Sequence, residues 1–151
     1  ASFANSPYFG VNSFLFTTKN NDIVPGRWIF EPADGVVNLS QAQLAELPDD
    51  FLKEELLTRI KHQPAVWNLF IKLAEKDDEI NNPTVLWPED RQRLLVGQVI
   101  INGKRDNEST IQTCGNGIFN PVLLPKGITP SADPILNART PAYIESFIRR
   151  Q

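Results

Sequence analysis

Arg139 and Tyr143 lie four residues apart in the stretch Asp133-Pro134-Ile135-Leu136-Asn137-Ala138-Arg139-Thr140-Pro141-Ala142-Tyr143. On a helix that spacing puts both side chains on one face, with the guanidinium beside the phenol oxygen. A free phenol titrates near roughly 10, whereas a permanently charged guanidinium a few ångströms away favours the phenolate, the form that ferric iron binds. The pair therefore has the makings of an iron-ligand site. Taken alone, the same spacing also fits a surface arginine stacked on a half-buried tyrosine. Pro141 is expected in the first turn of that helix, where a missing N–H costs nothing.

Other reactive residues offer less. His62 is the sole histidine and follows a helix in a polar context, so it is expected as a surface or helix-end residue rather than a base acting on substrate. Cys114 is the sole cysteine, with no second thiol or base beside it, so a loop or buried thiol is expected rather than a redox centre. Asp77, Asp78 and Glu79 read as a solvated loop, because the spaced ligand series of a calcium site does not follow them. The stripe Trp67, Leu69 and Ile71 is expected as core.

The elements that must position Arg139 and Tyr143 can be read from pattern. Tyr8 to Phe16 is dense in aromatic residues and runs through the polar turn Lys19-Asn20-Asn21-Asp22 to a second such run, Arg27-Trp28-Ile29-Phe30, which predicts a β-hairpin. Ser40 with Gln43 forms a capping-box pattern ahead of a short helix. Phe51, Leu52, Leu56, Leu57 and Ile60 recur at helical spacing and predict a second helix ending near His62. Val66 to Leu73 alternates with period two, and Leu94 to Asn102 gives a fourth strand. Between them, Pro83-Thr84-Val85-Leu86-Trp87-Pro88 is expected as an extended, docked segment. The remainder is expected as loop until Asp133 opens an amphipathic stretch through Arg150. Strands, helices and then strands argue an α+β fold with antiparallel pairing. Four strands cannot close a barrel, which needs about eight, so half a barrel is implied.

Composition bounds the partners. The chain has 151 residues with a formal charge of −3, 41% of them hydrophobic, enough for the core of one ordinary domain. Lys and Arg form no stripe, which argues against nucleic acid, and no apolar run approaches the ~20 residues of a membrane helix. Ala1 stands where an initiator would, no Met occurs anywhere, and Ala1-Ser2-Phe3-Ala4-Asn5 lacks a signal-peptide layout, so a mature form or fragment is expected. Compartment, cytoplasmic or periplasmic and secreted, is left open.

Gly127 to Tyr143, read as Gly-Ile-x-Pro-Ser-x-Asp-x-x-Leu-x-x-Arg-x-x-x-Tyr, resembles the proximal signature of the haem catalases. Phe9-Gly10-Val11-Asn12-Ser13-Phe14 resembles the strand that opens the second half of their barrel. Pro83 to Pro88, Val96-Gly97-Gln98-Val99-Ile100-Ile101-Asn102 and Phe119-Asn120-Pro121 resemble further family segments in the same order. The resemblance runs from Tyr8 to Arg150 and is to the carboxy-terminal half of the family, nearest its short catalase-related peroxidases, which lack an appended helical domain.

The resemblance implies that Tyr143 is the proximal iron ligand and Arg139 its hydrogen-bond partner. It implies that Asp133 and Asn12 form the rest of a proximal relay, with Asn12 where many large catalases carry histidine, a change that removes a titratable group. Arg150 matches an arginine that pairs a haem propionate, and Phe147 replaces a nearby histidine. Glu31 and Ile29 replace a lysine and a histidine that hold NADPH phosphates in some large catalases, so haem b without NADPH is expected. The implied activity is reduction of hydrogen peroxide or organic peroxides at a Tyr-ligated ferric haem, residues 1–151 being one segment that supplies the proximal half. The family's distal histidine and asparagine belong to an amino-terminal half, covalent or separate, that is expected as partner along with self-association through an open sheet edge. A non-enzymatic module that reuses the scaffold, either haem- or hydrophobe-binding or a catalytically dead interaction domain, is the rival from another class. A lipocalin-like carrier would need a complete barrel, against the strand count.

Overall fold

The computed structural model describes residues 2–104 and 117–150, so Cys114 lies outside the described residues. In chain order these hold a 3₁₀ turn at Phe3–Asn5, then β1 (Tyr8–Phe9), β2 (Phe14–Thr17) and β3 (Ile23–Pro32). Helices α1 (Gln41–Ala45) and α2 (Phe51–Arg59) follow, then β4 (Ala65–Leu73), β5 (Arg93–Ile101), β6 (Ile128–Pro130) and α3 (Pro134–Ile148). The strands join in the order β5-β4-β3-β2-β6, with β1 also on β3. Contacts divide the chain into two compact units, and β3, β4 and β5 contribute residues to both.

The first unit comprises Ala1–Phe9, Ile29–Phe70 and Leu95–Lys104. Its centre is Ala4, Ala65 and Trp67, with Phe30, Leu56, Val99 and Ile101 packed on it. Period-two alternation of β4 delivers this, since Ala65 and Trp67 are buried while Val66 and Asn68 between and after them are half-covered; Leu69, expected in the same core stripe, is only half-covered. The Trp67 indole N–H is satisfied by the Ser6 carbonyl at 3.2 Å. The capping box is formed as the sequence predicts: Gln43 N donates to Ser40 Oγ and Ser40 N donates to Gln43 Oε1. Arg59, at the end of α2, holds Glu55 one turn back at 2.8 Å and Asp34 at 3.1 Å. His62 follows the helix end and is exposed.

The second unit comprises Gly10–Trp28, Ile71–Leu94 and, among the described residues beyond them, 117–150. Here β2 pairs antiparallel with β3 on one side and with β6 on the other. Phe16 meets Trp28 edge-on at 5.1 Å between ring centroids, and Phe14 is buried near the same indole. The turn between β2 and β3 is closed by Thr18 N on the Asp22 carbonyl at 2.8 Å, with Asn21 in the left-handed region at φ 64°, a conformation asparagine tolerates well. Gly26 lies where a Cβ would collide with the Ile71 side chain, so the strand accepts no larger residue there.

The sequence predicts four strands, and six are present among the described residues. The first predicted strand is interrupted: Phe9 faces Ile29 and Phe14 faces Gly26, so the four residues Gly10–Ser13 stand opposite only Arg27 and Trp28. That is a two-residue bulge, and it leaves Asn12 outside the ladder. Strand β6 falls in the predicted loop, because three residues containing Pro130 carry no readable period. Pro141 is not in a first turn. The helix begins at Pro134, and Pro141 sits inside it, where it cannot donate to the Asn137 carbonyl.

Candidate functional site

Asp133 caps α3. Its Oδ1 accepts from Ile135 N at 2.8 Å and Leu136 N at 3.2 Å, satisfying amides that a helix start leaves free. Pro134 follows at the position where its missing N–H is harmless. The other carboxylate oxygen, Oδ2, accepts from Asn12 Nδ2 at 2.7 Å. Because a carboxylate offers only acceptors, the amide must present its NH₂. Asp133 is 1% exposed, and this bond joins residues 121 apart in the chain.

Leu136, one turn on, is fully buried and anchors the inner face of α3. Arg139 Nη2 then donates to the Tyr143 hydroxyl oxygen at 2.8 Å, with the guanidinium carbon 5.4 Å from the ring centroid. Both side chains are half-buried. Thr140, beside them, donates to Asn120 Oδ1 at 3.1 Å and so ties the Phe119-Asn120-Pro121 turn to the helix. Phe147 is half-buried one turn beyond Tyr143, and Arg150 is exposed just past the helix end. Thus the structure brings Asn12 to Asp133 and Arg139 to Tyr143, all in the second unit, and leaves Arg150 on the surface.

Three further residues lie beside this group; Ser13 and Trp87 fall in the family-like segments, but their joining through Arg27 is not legible in the sequence. Arg27 is 6% exposed and Ser13 is 1% exposed, joined by Arg27 Nε to Ser13 Oγ at 3.1 Å. Trp87 is buried, its face 4.2 Å from the Arg27 guanidinium and its indole N–H on the Glu79 carbonyl at 2.7 Å. An arginine inside the apolar run of β3 is the signal that could have found them. Burial lowers the pKa of Arg27, opposed by the negative charges of Asp78, Asp133 and Glu79.

The acidic loop differs from the solvated reading at one position. Asp78, only 5% exposed at its side chain, accepts from Arg91 Nε at 2.8 Å, and that hydrogen bond holds its carboxyl below the usual range. Ile29 is buried on β3, which also carries Glu31. Among the described residues no group of three or more His, Cys, Asp or Glu could hold a metal ion, and no helix is long and apolar enough to cross a membrane.

The family model described as Catalase matches residues 1–151. A catalase-related peroxidase of Synechococcus elongatus is 34% identical over 149 residues, covering 99% of this chain and 43% of the relative. One from Mycolicibacterium paratuberculosis is 28% identical, covering 97% and 46%. The chain therefore spans a little under half the length of these relatives. Among solved structures, a fungal catalase superposes with a TM-score of 0.83 at 20% identity over 97% of this chain and 31% of that one. Catalase A from Saccharomyces cerevisiae gives 0.82 at 19% identity, over 97% and 32%. The α+β reading with an antiparallel sheet stands. The chain belongs to the catalase family.

That family implies a haem iron. The residues present are compatible with one: Tyr143 carries a phenol oxygen, a hard donor of the kind ferric iron takes, and that oxygen accepts from Arg139 Nη2 at 2.8 Å.

Proposed function

We propose that this chain supplies the proximal half of a haem-dependent peroxidase or catalase that reduces hydrogen peroxide or organic peroxides. The observation that carries the reading is the 2.8 Å bond from Arg139 to the Tyr143 oxygen, on a helix whose start is fixed by Asp133 and Asn12. The bound haem b would supply the two-electron redox chemistry. Tyr143 would give its oxygen to the metal, with Arg139 donating a hydrogen bond to that same oxygen. Asp133 and Asn12 keep the first turn of α3 in place, so that the ligand is presented in one orientation. Arg150, exposed at the end of α3, is free to meet a propionate.

General acid and base work needs a group within hydrogen-bond reach of the peroxide. His62 is exposed at the end of α2, so that work is assigned to an amino-terminal half, joined covalently or supplied as a separate chain. Support for such a partner, or for self-association, comes from β5, where Leu94, Leu95, Val96 and Ile100 are exposed. Glu31 in place of a lysine argues against NADPH. A second reading, a hydrophobe-binding module, draws on a hollow of the first unit lined by Tyr8, Phe30, Trp67 and Val99 among others.

The test is the visible spectrum of the chain with ferric haem, alone and together with an amino-terminal catalase half, beside Tyr143→Phe. A tyrosinate-type ferric spectrum that the variant loses supports the assignment. An identical spectrum in the variant refutes Tyr143 as ligand.

A further inference from the structure

All three guanidinium nitrogens of Arg27 donate. Nε donates to Ser13 Oγ at 3.1 Å, Nη1 to the Val85 carbonyl at 2.8 Å, and Nη2 to the carbonyls of Glu79 and Asn82 at 3.3 and 3.4 Å. Its face lies on Trp87. Only a planar fork of five donors with a stacking face can do this, and a lysine cannot. All these acceptors are neutral oxygens.

The contacts divide in two directions. Those to Glu79, Asn82, Val85 and Trp87 hold the segment between β4 and β5. The contact to Ser13 points to the helix that carries Tyr143. Ser13 closes the bulge, immediately after Asn12. Its hydroxyl is held by Arg27 and its carbonyl accepts from Ser131 N at 3.1 Å. Ser131 Oγ in turn accepts from Asp133 N at 3.4 Å. Ser13, next to Asn12 in the chain, is thus held at both its hydroxyl and its carbonyl.

We propose that Arg27 is a positioning residue for α3: by holding Ser13 it fixes Asn12 against Asp133, and with them the helix start from which Arg139 and Tyr143 are placed. The opposite charges of Arg27 and Asp133, which act on each other across this group, add to the same arrangement. The bearing on Tyr143 rests on the proposed haem function, whereas the structural link does not.

The experiment compares the full chain with Ser13→Ala, Asn12→Ala and the double variant by amide hydrogen exchange. Ile135 and Leu136 N–H report the cap formed by Asp133, and the Trp87 indole N–H reports the Glu79–Trp87 segment. Ser13→Ala removes the acceptor for Arg27 Nε and leaves the other Arg27 contacts whole. Exchange at Ile135 and Leu136 is expected to rise about tenfold, the scale of one lost buried hydrogen bond, with Trp87 unchanged. The double variant should exchange no faster than Asn12→Ala. Unchanged exchange at Ile135 and Leu136 in Ser13→Ala, or multiplying effects in the double variant, would show that Arg27 serves only the Glu79–Trp87 segment and overturn the proposal. In haem-loaded protein, Ser13→Ala should displace the ferric charge-transfer band in the same sense as Asn12→Ala, a signature that loosening of Glu79–Trp87 would not give. Exchange needs no haem, so failure of haem binding and failure of this proposal are told apart.

Discussion

Removing the Asp133 carboxylate breaks two kinds of bond at once. One oxygen caps the amides of Ile135 and Leu136, and the other receives the Asn12 amide at 2.7 Å. Loss of a helix cap costs about 1 kcal/mol. Loss of a charge-assisted hydrogen bond costs about 1.5–3 kcal/mol, and here it strands a part-buried NH₂. Asp133→Ala is therefore expected to destabilise the chain by about 3 kcal/mol. For a chain of this size each kcal/mol lowers Tm by ~2–4 °C, so a fall of about 6–12 °C follows. Urea unfolding followed by circular dichroism measures the free-energy loss, and a thermal scan the fall in Tm. The paired exchange Asn12→Asp with Asp133→Asn keeps one donor facing one acceptor and keeps a side-chain oxygen for the cap, since asparagine caps as well as aspartate. That double variant should recover to within about 1 kcal/mol of the starting protein. A fall under ~1 kcal/mol for Asp133→Ala, or a double variant as unstable as Asp133→Ala, would refute the account, because either outcome means the two contacts do not act as the geometry requires.

Gly26→Ala is expected to cost about 1–3 kcal/mol by urea unfolding, because the added Cβ meets the Ile71 side chain, Phe16 Cε2 at 3.1 Å and the Lys72 carbonyl at 3.2 Å. Pro141→Ala restores a donor inside α3 and should stabilise by about 2–2.6 kcal/mol, the helix gain of ~3 less the ~0.4–1 of entropy that proline removes from the unfolded chain; a lower urea midpoint would contradict it. The pH dependence turns on Asp78. Arg91 holds its carboxyl below the ordinary 3.8, so the unfolded chain binds the proton more readily. Its contribution is present in full above the ordinary value and is lost as pH falls through the lower folded one. Asp78→Asn should therefore flatten the acid limb of urea midpoints taken from about pH 6 to about pH 2, and an unchanged limb would count against the Arg91 contact.

The elements legible in the sequence are those whose signals are local and repeated. Alternation through Ala65–Leu73 marks β4, and Ser40 with Gln43 marks α1, because each pattern is complete within a few residues. Asp133 followed by Pro134 is a strong helix start, and it outweighs the reading of Pro141 as a first-turn residue: a cap with two bonded amides fixes the beginning, and the later proline is then carried inside. The bulge at Gly10–Ser13 left no such trace, since it depends on which residues of β3 stand opposite. The same holds for Asp78, whose acidic neighbours suggest solvent while its partner Arg91 lies 13 residues on. In the site, the helical spacing of Arg139 and Tyr143 was readable as a contact. Arg27 and Ser13 were not, because their relation is made by pairing of β2 with β3 and by a segment more than 50 residues away.

The bulge sets what changes in chain length this stretch can bear. Side chains of a strand alternate between faces, so losing one residue from Gly10–Ser13 would turn β2 over and send Phe14 and Phe16 to the opposite face. Losing two is a full repeat of the pleat. It preserves which side every later residue faces, and it would straighten the strand at the expense of Asn12's place outside the ladder. Insertions and deletions here should therefore come in pairs, and a homologue two residues shorter would keep the sheet while giving up the partner of Asp133.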